Sequence, residues 1–160
     1  MKKGEKMEKT REFKTGVFPV YDMDFAIGVK GEVSTEEDMK IIKEMDNFSM
    51  SITSDSQEWY PMDAKGWRKL LVTAKALTIS LAGKRCYGDE GNDYVASVAL
   101  KNGRSCNSKL KITFSNEDTL EMDCVLKITN WVGGASTDVQ PLEFDLESNG
   151  EPIFTATPVE

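Results

Sequence analysis

The chain has 160 residues, of which 39% are hydrophobic; 20 basic and 27 acidic side chains give a net charge of −7, and there is no histidine. This length fits one domain with a sizeable core, and the composition excludes a disordered chain and a spanning helix of roughly 18 or more apolar residues. The negative balance argues against a dedicated phosphate-backbone binder. The lack of histidine removes the usual general base near neutral pH, the commonest metal ligand and every Ser-His or Cys-His nucleophile.

Residues 1–15 carry six basic side chains (Lys2, Lys3, Lys6, Lys9, Arg11, Lys14) and three acidic ones (Glu5, Glu8, Glu12), net +3, which leaves 14 basic against 24 acidic on residues 16–160. The stretch lacks the apolar core of a secretory signal, so synthesis and release in a cytoplasm are expected. Such a cationic arm either docks on the anionic body of a neighbouring copy or is a solvated flexible tail. The domain reading is a charged flexible arm over 1–15 and a single β domain over 16–160.

Ser34-Thr35-Glu36-Glu37 has the form of a capping box and predicts either a helix over 38–45 or an extended run toward Phe48. From there the dominant signal is period two, because successive strand side chains point to opposite faces. It begins with Phe48, Met50 and Ile52 against Ser49, Ser51 and Thr53. Residues 54–70 match neither helix nor strand: Trp59, Tyr60, Pro61, Met62 and Trp67 stand among charged residues such as Glu58. Two tryptophans and a tyrosine argue against disorder, so this long loop folds onto its own body or enters a neighbouring subunit.

Alternation resumes over 75–84 with Leu77, Ile79 and Leu81. Asp89-Glu90-Gly91-Asn92-Asp93 is oxygen-rich, but its spacing does not match an EF-hand loop, and turn formation with helix capping accounts for it. A helix over 94–101 is predicted, capped by Asn92 or Asp93 and stopped by Asn102-Gly103. The odd set of Cys86, Cys106 and Cys124 supports neither a disulfide framework nor a zinc site, and Cys124 reads as a small core residue.

The segments 109–115 and 119–130 alternate again, the second with Leu120, Met122, Cys124, Leu126 and Ile128 on one face. Directly paired residues share a face, so the loop between them must be odd in length. A three-residue loop Asn116-Glu117-Asp118 pairs Thr113 with Glu121 and Lys111 with Asp123. After a glycine-rich turn over 131–137, Leu142, Phe144 and Leu146 form the last alternating strand. Half-polar strands belong to antiparallel sheets covered on one side, so the fold class is mainly β: an antiparallel sandwich or barrel with one flanking α-helix. Carboxylates two apart, Glu121 with Asp123 and Glu143 with Asp145, suit a solvated strand face better than acid and base catalysis. No cofactor and no enzymatic activity are expected.

The ordered combination Glu58-Trp59-Tyr60-Pro61-Met62-Asp63, Gly66-Trp67, residues 75–80 with Gly83-Lys84-Arg85, and Tyr87 to Ala96 resembles the major tail tube protein of long-tailed phages and prophages of Gram-positive bacteria. The likeness continues through Met122-Asp123-Cys124-Val125, residues 133–137, Pro141-Leu142-Glu143-Phe144 and residues 148–152, and so covers about residues 16–155. It implies hexameric rings stacked into the hollow tube of a non-contractile virion tail, through which DNA passes transiently without membrane insertion. It also implies a fold similar to the type VI secretion tube protein, with tail terminator, tape measure and distal tail proteins as further partners. On that resemblance the loop 54–70, with Glu58, Trp59, Tyr60, Pro61, Met62 and Trp67, reaches a neighbouring subunit. Six copies at −7 each would carry −42, and carboxylates facing a lumen repel the DNA backbone, with Glu121 and Asp123 the leading candidates. A reading from another class is a β-sandwich module on a virion or cell surface, binding carbohydrate or protein through Trp59, Tyr60 and Trp67.

Overall fold

The computed structural model describes residues 15–157; the predicted cationic arm, apart from Thr15, lies outside them. The alternating segments form strands β1 (Asp24–Gly28), β2 (Met39–Ile41), β3 (Met45–Trp59), β4 (Lys69–Lys84), β5 (Asn107–Thr113), β6 (Thr119–Trp131), β7 (Pro141–Ser148) and β8 (Ile153–Thr155). One helix, α1 (Glu90–Ser97), lies between β4 and β5. All pairs are antiparallel in one sheet of order β2-β1-β5-β6-β7-β4-β3, and β8 shares with β7 one edge of β6.

Period two places the core. Leu77, Ile79 and Leu81 of β4 lie beside Leu142, Phe144 and Leu146 of β7, then Cys124 and Leu126 of β6, Leu110 and Ile112 of β5, and Ile27 of β1, all buried on one face. The sheet curls around this face until β1 and β3, near its opposite ends, touch through Phe25 and Phe48. Its described end strands β2 and β3 are not paired with each other, so the sheet does not close into a barrel. Helix α1 adds Val95 and Ala96 to the core and sits so close to β2 that a Cβ on Gly91 would lie 2.5 Å from the carbonyl oxygen of Ile41.

The predicted helix boundaries and cap need correction. The helix begins four residues earlier than 94, and its N-cap is Asp89, whose carboxylate accepts from the amide of Asn92 at 3.0 Å. Asn92 and Asp93 are interior to the helix. Asn92 is fully buried, and Asp93 pairs with Arg85 at 2.8 Å. The segment after Thr35 is a single 3-10 turn, Glu36–Asp38, closed by reciprocal bonds between Thr35 and Asp38 and followed at once by β2. The extended alternative therefore holds from Met39.

The hairpin between β5 and β6 has the expected odd parity but a different register. Lys111 lies opposite Glu121 and Lys109 opposite Asp123, two residues away from the predicted pairing of Lys111 with Asp123. The loop is Ser115-Asn116-Glu117, closed by the amide of Phe114 donating to Asp118 O at 2.8 Å. Glu117 takes the left-handed conformation (φ 74°) that a three-residue hairpin loop requires at its last position. Asp118 is thereby left to accept from the amide of Thr157 at 2.8 Å, which anchors the chain just beyond β8. β1 and β8 have no counterpart among the predicted strands, and β8 is only three residues long.

Candidate assembly interface

β3 and β4 continue as a ladder from Ile52–Leu77 out to Trp59–Lys69, whereas β7 covers β4 only over Thr78–Lys84. The rest is a two-stranded ribbon projecting from the body, with residues 51–60 and 65–76 exposed. The segment 54–70 is therefore strand on both sides of a short tip, not the irregular loop the sequence suggested. Solvent lies on both faces of the ribbon, so the side chains carry no alternation to read.

One ribbon face continues the core face of the sheet. Even-numbered residues of β3 from Phe48 to Glu58 keep to that face, and Thr73, an extra residue in β4, shifts the register so that Val72 and Leu70 join Ile52 there. Leu71 falls on the other face, opposite Gln57. The tip turns through a 3-10 turn at Met62–Ala64, with Lys65 and Gly66 both at positive φ and the amide of Trp67 donating to Ala64 O at 3.2 Å. Trp59, Tyr60, Pro61, Met62 and Trp67 gather at this end, and Glu58 pairs there with Arg68 at 3.3 Å. Met62 is 93% exposed, Trp67 79% and Tyr60 62%. These large apolar side chains are exposed together at the end of a two-stranded ribbon, a unit that is marginal in water by itself.

The end of the β3–β4 ladder farthest from the ribbon is held by a residue that the sequence reading took for a cap. Asn92 donates to the carbonyls of Lys43 at 3.1 Å and Lys84 at 2.9 Å, directly before β3 and at the end of β4. Its own oxygen accepts from the Cys86 amide and from Arg85, whose guanidinium stacks on Tyr87 with 4.2 Å to the ring centroid. The signal that could have found it is the polar Asn92 beside Gly91 in an otherwise packing helix.

Glu121 and Asp123 lie on the outward polar face of β6, beside an open recess of about 330 Å³. Each faces a lysine: Lys111 stands 4.0 Å from Glu121 and 2.6 Å from Glu36, and Lys109 stands 3.9 Å from Asp123. Lys127 is paired with Glu147, which holds its ammonium above the ordinary lysine range through that hydrogen bond. Glu143 accepts from the Asn130 amide at 3.1 Å, and Asp145 accepts from the Ser80 hydroxyl at 2.6 Å and lies opposite Lys127, so three carboxylates of β7, Glu143, Asp145 and Glu147, share one ammonium. The least compensated negative charge of this face is thus on β7 rather than on the two residues singled out from the sequence. Among the described residues no group of three or more potential ligands is arranged to hold a metal, and no helix is long and apolar enough to cross a membrane.

No protein-family model and no curated protein matches the sequence. Among the solved structures that share its fold are two chains of gene transfer agent particles. One is a chain from the tail of an empty gene transfer agent particle, determined by helical refinement with C6 symmetry. It is 15% identical, with a TM-score of 0.69, and the match covers 88% of this chain and all of that one. The other, from the virion of a native gene transfer agent particle, is 14% identical with a TM-score of 0.66 and the same coverage.

Proposed function

We propose that the chain is the structural subunit of a phage-like tail tube, in which copies join into rings, six to a ring, that stack around a bore for DNA. The observation that carries this reading is the ribbon of β3 and β4, with its exposed aromatic end, on a fold shared with chains of tail particles. The ribbon has the exposed apolar area of a contact with nothing among the described residues to cover it, and among those residues the two sheet ends leave unpaired edges suited to joining copies.

The protein acts by assembly, with no catalytic step. The polar face of β5, β6 and β7 is the candidate lining of the bore, where Glu121 and Asp123 are tempered by lysines and Glu143 and Asp145 supply the remaining repulsion. A lumen of this kind lets a polyanion slide without adhering. Residues 1–15, cationic against an anionic body, serve a ring-to-ring or tube-to-partner contact. Tail terminator, tape measure and distal tail proteins complete the assembly, and the mature site is the virion of a long-tailed phage or prophage whose host is Gram-positive.

Electron microscopy of the purified protein at rising concentration tests this reading. Rings or tubes are expected for the full chain and not for a variant whose residues 60–68 are replaced by Asn-Gly. A full chain that remains monomeric at every concentration, or that binds glycans as a stable monomer, overturns it.

A further inference from the structure

The curl of the sheet leaves a groove of about 570 Å³ where the β1–β2 end approaches β3. Its floor is apolar, formed by Phe25, Met45 and Phe48, and Val20 and Tyr21 make one wall. Asp24, Glu44 and Asp46 lie along it, all exposed, with Lys84 paired to Asp46 at 3.4 Å. An apolar trough edged by three carboxylates and one ammonium calls for a ligand that is apolar in the middle and cationic around it.

The tip of the ribbon has that chemistry. Tyr60, Met62 and Trp67 supply the apolar surface, and Lys65, Arg68 and Lys69 outnumber Asp63 among residues 60–69. We infer that the groove receives the ribbon tip of a second copy of this chain. This rests on the tube reading and names the receiving site for its contact.

The same copy cannot fill its own groove. Phe48 lies in the floor and Trp59 is eleven residues further along the same strand, about 36 Å away at roughly 3.3 Å per residue. Ladder pairing persists to Trp59–Lys69, so the ribbon does not fold back. Tip and groove are different surfaces, so each copy offers one and accepts another, and copies joined head to tail in this way yield a ring or a continuing helix.

Carbodiimide coupling on the assembled full-length protein, using a mixture of isotopically light and heavy chains, tests the contact by mass spectrometry. Inter-chain bonds from Lys65 or Lys69 to Asp24, Glu44 or Asp46 are expected. In parallel, Lys65→Glu with Lys69→Glu should raise the concentration needed for assembly about tenfold or more, and adding Asp24→Lys with Glu44→Lys should restore it. Rings whose tip lysines couple only to other surfaces, or an unrescued double charge swap, overturn the groove assignment while leaving the tube reading intact. A chain that never assembles overturns both.

Discussion

Phe25 and Phe48 meet with ring centroids 4.8 Å apart and planes at 44°, although four strands separate β1 from β3 in the sheet order. This side-chain contact joins the two ends of the curl where there is no ladder pairing, while the Ile42 amide, donating to Phe25 O at 2.9 Å, carries the β1–β2 ladder one residue further.

Removing that contact should loosen the whole curl. Phe25 is buried at 8% exposure, so Phe25→Ala should destabilise by about 3–4 kcal/mol, and the half-buried Phe48→Ala by less. Urea unfolding followed by fluorescence measures both. A loss below about 1 kcal/mol for Phe25→Ala would show that the curl is held elsewhere.

Asn92 has all four of its hydrogen-bonding positions filled in a fully buried site. Asn92→Ala would leave two carbonyls and an amide without partners, a loss of about 2–4 kcal/mol. Asn92→Asp should be no better, because an acceptor would then face the carbonyls of Lys43 and Lys84. Hydrogen exchange should show the opening concentrated where β3 begins and β4 ends; uniform loss across the sheet is the contrary result.

The hairpin register gives a charge-swap test. Lys111→Glu brings like charge against Glu36 and Glu121 and should cost about 1 kcal/mol. Glu121→Lys should recover part of it, and Asp123→Lys, aligned with Lys109, should not. Thermal unfolding of the two double variants decides between the observed register and the one shifted by two residues.

Burial pushes the Cys124 thiol from 9.0 up to about 12, and burial also raises the Tyr94 hydroxyl above its ordinary range. In both cases the folded state holds the proton that the unfolded chain releases first, so stability is full below about pH 9 and falls as pH climbs toward 12. The Lys127–Glu147 pair acts in the same direction, since it too is lost as pH rises through the folded value. Cys124→Ala should flatten the alkaline slope. A thiol reagent at pH 8 should label Cys86 and Cys106, both only partly buried, well before Cys124.

The strands with one buried face were legible in the sequence because burial on one side imposes period two, as in Leu77-Ile79-Leu81 and Leu142-Phe144-Leu146. The outer ribbon was not, since residues 54–59 meet solvent on both faces and alternate nothing. The helix start was obscured because Gly91 and Asn92, poor helix formers, are there for a close approach to Ile41 and for bonds to two distant carbonyls. The hairpin register depended on which residue takes positive φ, and nothing local marks Glu117 over Asp118 for that role. The aromatic cluster was visible as composition; that it stands clear of its own body is a property of the ladder behind it.

The extra residue Thr73 makes the ribbon a jointed lever. A bulge bends and overtwists the strand that contains it, so the tip points where that joint directs it. Deleting Thr73 would keep the partners Asp55–Ala74 and Ser56–Val72 and every tip side chain, yet straighten the lever and swing its end through space. The pitch of anything built by linking such levers is therefore adjustable at a position remote from both ends of the link.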